Sequence, residues 1–323
     1  MHGNFQKTAR NMIVLTDSIS FAERLIRPKY SWVKEDVSCF GENTALKEIA
    51  SEIYPDGSFY KTDVLLGWGW SFAFISEKLA LSHYDLMINA GRKRNDIPHG
   101  LVFVAGESDF CHGHHGRKWA ALSGNLQLTA FLTPKCRMDF FGTGFSILAA
   151  VSVVETIDGF KGLRGKAQIK WVNDITVGKA KIAGFLAHTH SMGIEVESAI
   201  VGIGMNVETN PGIESDVFIP DSISLLELIS TEEDCDLGVV FQRLLTRLEA
   251  NYNLLKTGDY NKLLSFYRER SLIIGRKVRI FSDKMDSDNC VIAEGVVRKI
   301  GNNLELYLEG QEHPVTQGRL ILE

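Results

Sequence analysis

Residues 168–207 constrain the fold of this 323-residue chain more than any other stretch. Three extended apolar runs lie here, at residues 167–177, 181–189 and 199–207, and a turn containing glycine separates each run from the next. β-Branched and aromatic residues bounded by such turns are typical of antiparallel strands. The stretch therefore predicts an antiparallel meander.

Two lysines of this meander, Lys170 and Lys181, lie beside Asn173 and Asp174 in the first predicted hairpin. On their own, such lysines are most often solvated charges of a strand or a turn. The motifs around them are more specific: Lys-Trp-Val-Asn-Asp at 170–174, Lys-Ile-Ala-Gly-Phe-Leu at 181–186 and Gly-Ile-Gly-Met-Asn at 202–206. In this order and spacing they resemble the core of biotin protein ligases, whose first motif, KWPND, has proline where this chain has Val172.

The composition limits the class of protein. A chain of this length with 45% hydrophobic residues can bury a large core and form two or three domains. Its net charge of −5 argues against nucleic acid as the main partner. No continuous apolar run reaches about 18 residues, and residues 1–10 lack the pattern of a signal peptide. The five cysteines form no CxxC pair, which suits a reducing compartment. We therefore expect a cytoplasmic protein without a membrane partner.

Residues 1–70 carry the weakest pattern and are predicted to be an N-terminal extension of unknown role. A strand is expected at residues 11–15, a short helix at 42–53 and a buried or interfacial cluster at 65–70. Many bacterial biotin ligases have an N-terminal winged helix-turn-helix that makes them repressors. These residues do not fit two helices, a turn and a β-wing with a basic recognition face, so DNA binding is not expected.

Strands and helices alternate along the rest of the chain. They are predicted as strands at 72–81, 100–105 and 127–132, a buried helix at 142–158, a helix start at 221–228 and an amphipathic helix at 237–256. Short strands at 277–281, 292–299, 304–308 and 315–322 predict a small β-barrel, which resembles the SH3-like C-terminal domain of biotin ligases. The fold class is therefore predicted to be α+β. We expect a class II synthetase-like catalytic domain with a mixed, mainly antiparallel sheet at residues 71–270 and an SH3-like β-barrel at 271–323.

Two segments depart from the family pattern. Biotin ligases read S-T-[NM] at the corner after the first of these strands, where a hydroxyl and backbone amides bind the biotin head group. This chain has Ser82, His83 and Tyr84 there. The loop after the second strand reads Q-T-x-G-R-G-R-x-G-R-x-W and then G-N-L in the family. Its second half is kept, at Gly113, Gly116, Arg117, Trp119, Gly124, Asn125 and Leu126. Its first half is changed: Ser108 replaces a biotin-contacting glutamine, Cys111 replaces a glycine, and His112 and His114 replace arginines.

The exchange of arginine for histidine bears on the chemistry expected of this loop. A ligase brings a carboxylate to an ATP phosphate and then holds the anionic acyl-adenylate. Arginine suits this task because it offers a fixed charge and forked hydrogen bonds, whereas histidine is mostly neutral near pH 7. Loss of one arginine–phosphate contact costs about 1.5–3 kcal/mol, so the changes at His112 and His114 are expected to weaken retention of the adenylate about 100-fold or more.

Two other interpretations of this loop stay open. Zinc-ligating residue types are concentrated there, at Asp109, Cys111, His112, His114 and His115. His188 and His190 could complete a metal site if the loop folds onto them, but ligands so crowded in sequence cannot all converge on one ion. The expectation is therefore a loop without a tightly bound metal. Cys111 beside His112 could also form an acyl-acceptor pair.

The resemblance implies a role for each matched position. Lys181 would hold carboxylate and phosphate oxygens as charge builds up, while Lys170 and Arg117 would add positive charge. Binding of the acid substrate is implied for Ser82, His83, Tyr84, Ser108, His112, Gly113, His114, Trp119 and Gly184. Nucleotide binding is implied for Asn173, Asp174 and Asn206, with Mg²⁺ near Asp174 because magnesium prefers oxygen ligands.

The predicted function is that of an ATP-dependent ligase. It would activate biotin as biotinyl-AMP and transfer it to a lysine in the biotin carrier domain of a carboxylase. The changes at Ser108 and at the corner leave open a ligase or transferase for another acid, such as lipoate or octanoate. A binding protein that kept the fold without the chemistry is the other alternative. An oligomer is compatible with these patterns.

Overall fold

The computed structural model describes residues 11–65, 69–213, 218, 220–229, 235–282 and 290–323. The helices are α1 (Ile19–Leu25), α2 (Thr44–Ile53), α3 (His83–Lys93), α4 (Phe141–Asp158), α5 (Leu237–Lys256) and α6 (Tyr260–Glu269). The strands are β1 (Asn11–Thr16), β2 (Val33–Asp36), β3 (Ser58–Leu65), β4 (Phe72–Lys78), β5 (Leu101–Glu107), β6 (Leu126–Leu132), β7 (Cys136–Arg137), β8 (Ala167–Lys170), β9 (Asp174–Val177), β10 (Ala180–Met192), β11 (Glu195–Met205), β12 (Lys277–Phe281), β13 (Val291–Ile300), β14 (Leu306–Leu308) and β15 (Arg319–Leu322). This mixture of helices and strands confirms the predicted α+β class.

An 11-stranded sheet forms the body of the molecule. Its strand order is β2-β3-β1-β4-β5-β6-β11-β10-β9-β8, and β7 pairs with β11 outside this path. Strand β4 pairs in parallel with β1 and with β5, whereas the other neighbours are antiparallel. The prediction of a mixed, mainly antiparallel sheet is therefore confirmed.

The N-terminal residues 11–65 continue this sheet, since β1 lies between β3 and β4. The predicted strand and helix are confirmed as β1 and α2. Of the predicted cluster at 65–70, Leu65 is exposed, Trp70 is buried, and residues 66–68 lie outside the described residues. The indole N–H of Trp70 donates to the carbonyl of Leu245 at 3.4 Å. The boundary placed at residue 70 stays a prediction.

Helix α4 lies in the core and supports the back of the sheet. Its apolar residues continue around the helix rather than along one stripe, and most are buried. By length and composition alone it could cross a membrane, but 67% of the relevant window is buried inside the protein. The buried hydroxyls of Ser152 and Thr156 donate to carbonyls one turn earlier at 2.7 Å, so these two hydroxyls are satisfied within the helix.

The first run of the meander differs from the prediction. Residues 167–177 were expected as one strand, whereas the structure has β8 and β9 paired with each other as a hairpin. Tertiary contacts hold this reversal: the Trp171 indole donates to the carbonyl of Leu304 at 2.7 Å, and the Tyr267 hydroxyl donates to the carbonyl of Val172 at 3.0 Å. Both partners lie far along the chain, so the local pattern could not reveal the turn.

The predicted helix start at residues 221–228 is wrong except for one 3-10 turn, Leu226–Leu228. The amide of Ile223 donates to the carbonyl of Lys181 at 3.0 Å, and the amide of Lys181 donates to that of Asp221 at 2.7 Å. The segment therefore lies extended along β10, because it satisfies backbone groups of that strand instead of its own.

The C-terminal residues form a separate small antiparallel sheet of four strands, in the order β14-β13-β12-β15. This arrangement bears out the expected small β domain of SH3-like type. Helix α6, which the sequence analysis did not predict, leads into it. Arg268 of α6 donates to the carbonyl of Ile300 at 2.8 Å, which joins the small sheet to the helical layer.

Candidate active site

A cavity of about 200 Å³ opens between the face of the large sheet and the loop that follows β5. The predicted site residues that line it are Ser82, His83, Tyr84, His112, Gly113, His114, Arg117, Trp119, Asn173, Asp174, Lys181, Gly184 and Asn206. Two predicted residues do not line it. Lys170 interacts electrostatically with Asp174, Lys181 and Arg117 without lining the cavity. The Ser108 hydroxyl accepts from the amide of Phe110 at 3.1 Å and donates to the carbonyl of Leu81 at 3.4 Å. Ser108 is therefore engaged within the loop.

Glycines in the sheet allow aromatic rings to form the wall of the cavity. A Cβ on Gly204 would lie 2.4 Å from the Trp119 ring, and one on Gly202 would lie 2.8 Å from the Tyr84 ring. Contacts this close are forbidden for real Cβ atoms. The indole N–H of Trp119 donates to Oε1 of Gln127 at 2.7 Å. The loop is therefore fixed to the sheet at Trp119.

One end of the cavity carries a concentration of positive charge. Lys181 Nζ lies 2.6 Å from Asp174 Oδ1 and 5.3 Å from the centre of the Trp119 ring. Burial, followed by the charges of Lys181, Arg117 and Arg319, lowers the pKa of Lys170 against the opposing effect of Asp174. Among the described lining residues, Asp174 supplies the carboxylate. Excess cations around one carboxylate favour binding of a polyanion.

Arg319 enters this cluster from the small C-terminal sheet. Its guanidinium lies 3.8 Å from the centre of the Phe218 ring, and Phe218 lines the cavity. The Nε atom of Arg319 is buried and has no hydrogen-bond partner among the described residues. The site therefore draws on both sheets.

The opposite end of the cavity is neutral. His83 is 4% exposed, and its Nδ1 lies 2.7 Å from the Thr129 hydroxyl. Burial lowers the pKa of His83 to about 4, which the Gln127 backbone carbonyl and Asp85 only partly offset. Burial raises the pKa of Tyr84. The Ser82 hydroxyl accepts from the amide of Asp85 at 3.2 Å and caps α3. These side chains offer uncharged hydrogen-bonding groups to a ligand.

His112 closes one side of the cavity. Its Nε2 lies 2.8 Å from Asp85 Oδ2, and its Nδ1 lies 3.0 Å from the carbonyl oxygen of Gly113. Partial burial opposes the charged form, but these two acceptors outweigh it and raise the pKa of His112. Since both ring nitrogens face acceptors, the imidazolium fits this position better than the neutral ring.

The two other interpretations of the loop find little support. The described residues contain no group of three His, Cys, Asp or Glu side chains that could hold a metal ion. Burial raises the pKa of the Cys111 thiol, which disfavours the thiolate that a nucleophile needs. His112 is committed to Asp85.

Sequence reasoning missed Gln127 and Thr129, which line the cavity from β6. The sequence could have revealed them, because they are two polar residues, two positions apart, in a strand that is otherwise apolar and buried. Side chains at this spacing project from one face of a strand. The same reasoning missed Arg319, because only the tertiary fold brings the C-terminal sheet to the cavity.

A family model described as the Biotin/lipoate A/B protein ligase family matches residues 83–206. The chain is 28% identical over 186 residues to the bifunctional ligase/repressor BirA of Bacillus subtilis, covering 57% of this chain and 56% of that protein. It is 29% identical over 217 residues to the biotin–[acetyl-CoA-carboxylase] ligase of Mycobacterium tuberculosis, covering 66% and 76%. The matched segment thus spans little more than half the length of the Bacillus relative.

Among solved structures, the fold is similar to that of the biotin protein ligase from Aquifex aeolicus in complex with biotin and ATP. The TM-score is 0.60 at 20% identity, covering 78% of this chain and 98% of that one. This likeness confirms the predicted class of catalytic fold.

Proposed function

We propose that this chain is an ATP-dependent biotin–carrier-protein ligase, because residues 83–206 match the model of the Biotin/lipoate A/B protein ligase family. The observation that carries the proposal is the division of one cavity into two ends. A cationic end holds Lys181, Arg117 and Asp174, and a neutral aromatic end holds Trp119 and His83. Such a cavity suits a polyphosphate at its cationic end and the uncharged ring system of an acid at its neutral end. The carboxylate of that acid would then lie at the boundary between the two ends.

In the first step, a carboxylate oxygen of biotin attacks the α-phosphorus of ATP, and pyrophosphate leaves. Lys181 lies at the boundary between the two ends, beside both Asp174 and Trp119. It would stabilise the charge on the reacting oxygens, while Arg117 and Lys170 reduce the repulsion between the carboxylate and the phosphates. Asn206 has a buried Oδ1 without a partner among the described residues, which would accept a hydrogen bond from the nucleoside.

In the second step, the neutral amine of a carrier lysine attacks the acyl carbon of biotinyl-AMP, AMP leaves with the bonding electrons, and the nitrogen loses a proton. The residues of the cavity would act here by holding the adenylate in place. The carrier partner would be the biotin domain of a carboxylase. His112 in its charged form would take the position of a loop arginine, and His114 would supply a weaker contact.

Magnesium is part of the proposal. It is commonly bound through one or two carboxylates together with substrate phosphates, and Asp174 lies at the cationic end of the cavity. Asp174 would hold the ion, which would reduce the negative charge of the phosphates.

The names of the relatives favour biotin over lipoate or octanoate as the acid. The name of the Bacillus relative also includes a repressor, but we propose no DNA-binding role here, because residues 11–65 form strands of the large sheet.

We further propose that the protein works in the cytoplasm, since its five cysteines are all free thiols.

Biotin-dependent exchange of labelled pyrophosphate into ATP tests the function. The wild-type protein should catalyse exchange only with biotin present. Lys181→Ala should lower the rate about 100-fold or more because it removes the cation at the reacting oxygens. Lys179→Ala, in the exposed turn of the same hairpin, is the matched control and should keep the wild-type rate. Exchange that ignores biotin, or that survives in Lys181→Ala, would contradict the proposal.

A further inference from the structure

Gln127 places a buried amide group at the wall of the cavity. The side chain is 2% exposed and lines the cavity from β6. Its Oε1 accepts the indole N–H of Trp119 at 2.7 Å, and this bond fixes which way the amide faces. Its Nε2 is buried and has no hydrogen-bond partner among the described residues. A buried donor left in this state is unfavourable unless a ligand completes it.

The surroundings of Gln127 define which ligand group would complete it. Thr129 lies two residues further along the same strand, and its hydroxyl is bonded to His83. The low pKa of His83 keeps this ring neutral, and its Nε2 is also buried without a hydrogen-bond partner among the described residues. The patch formed by Gln127, Thr129 and His83 is therefore uncharged and includes a fixed donor. A neutral carbonyl oxygen matches it, whereas a charged group would lose its hydration without a counter-charge.

We propose that Gln127 determines specificity for the acid: its Nε2 donates to an uncharged carbonyl oxygen on the head group of the substrate. The inference rests on the proposed function, in which that oxygen is the ureido oxygen of biotin. Ser108 stands where the family pattern has a biotin-contacting glutamine, and its hydroxyl is engaged in hydrogen bonds within the loop. Gln127, on β6, would supply the side-chain amide that the family pattern places in the loop. An acid with a hydrocarbon head would leave Nε2 unpartnered and would be rejected.

Two variants separate the donor from the rest of the side chain. Gln127→Glu keeps an oxygen for the Trp119 indole and replaces the donor by an acceptor, and at pH 8 the ionised form of the new carboxyl is favoured. Gln127→Met keeps the volume and removes both polar atoms. Gln168→Glu, on β8 and away from the cavity lining, is the matched control for the change in charge.

Isothermal titration calorimetry with biotin and, separately, with ATP gives the test. Both Gln127 variants should bind biotin about 10- to 100-fold more weakly, and both should bind ATP with wild-type affinity. Gln168→Glu should bind both ligands normally. Wild-type affinity for biotin in the two variants would overturn the inference, as would an equal loss of biotin and ATP affinity, which would indicate a collapsed cavity. A wild-type protein that binds ATP but not biotin would instead overturn the proposed function.

Discussion

At the scale of single residues, neighbouring groups determine the orientation or the pKa of the polar side chains in the cavity. The Gln127 amide is oriented by Trp119, burial lowers the pKa of His83 to about 4, and the pKa of His112 is raised because Gly113 and Asp85 outweigh its partial burial. Residue type alone would have suggested two equivalent histidines. Their surroundings shift their pKa values in opposite directions, because one is buried among uncharged groups and the other faces a carboxylate.

The charge on His112 leads to a pH-dependent contribution to stability. Because the folded-state pKa of His112 is raised, its ion pair with Asp85 stabilises the protein fully below the unfolded pKa of about 6.5. This stabilisation is lost as the pH rises through the folded pKa. For a partly exposed pair the effect should stay below about 1 kcal/mol. Urea unfolding at pH 5.5 and pH 8.5 measures it.

Substitution of the histidine supplies the control. In His112→Gln the free energy of unfolding should change less between these two pH values than in the wild-type protein. An identical pH dependence in both proteins would show that other groups are responsible.

At the scale of secondary-structure elements, the wall of the cavity is made by close approach of two aromatic rings to glycines in β10 and β11: Trp119 belongs to the loop after β5, and Tyr84 belongs to α3. Trp119 contacts Gly184 and Gly204, and Tyr84 contacts Gly202. The motif Gly-Ile-Gly at 202–204 therefore has a steric reason: each glycine leaves the space that a ring occupies. The loop and the start of α3 can lie this close to the sheet only because these positions lack a Cβ.

Substitution of Gly204 should disturb the site more than the fold. In Gly204→Ala the new methyl group would meet the Trp119 ring at 2.4 Å, so we expect the ring to move and its bond to Gln127 to break. Overpacking of this kind costs about 1–3 kcal/mol of unfolding free energy, and biotin affinity should fall as well. Gly142→Ala has no heavy atom within 4 Å of the added group. It should keep wild-type affinity, and a similar loss in both variants would contradict the steric argument.

At the scale of the whole molecule, the C-terminal sheet is part of the site and not a separate appendage. Trp171 and Arg268 donate to carbonyls of its segments, and Arg319 adds its charge to the cluster around Lys170. The polyanion would therefore lie at a junction between two sheets.

Arg319→Gln should weaken ATP binding about 10-fold, which is the order expected for loss of a charge-assisted contact. Biotin affinity should not change, because the charge of Arg319 acts on the cationic cluster around Lys170 and not on the neutral end of the cavity. Arg298→Gln, in a surface ion pair with Glu309 on the same sheet, is the matched control. Calorimetric titration with ATP checks both variants, and equal affinities would exclude Arg319 from the nucleotide site.

The sequence by itself determined much of this protein. Its apolar runs and glycine turns predicted the strands at 127–132 and 199–207, the buried helix at 142–158 and the amphipathic helix at 237–256, because each pattern reflects contacts close in sequence. Its motifs, through the family resemblance that they carry, also singled out thirteen residues that line the cavity, including Lys181, Asp174 and Trp119.

Only the tertiary structure decided the remainder. The turn after Lys170 is held by Leu304 and Tyr267, and the cation from Arg319 arrives from the far end of the chain. The opposite pKa shifts of His83 and His112 follow from burial and from one carboxylate. None of these features has a local pattern, because each arises from groups that meet only when the chain has folded.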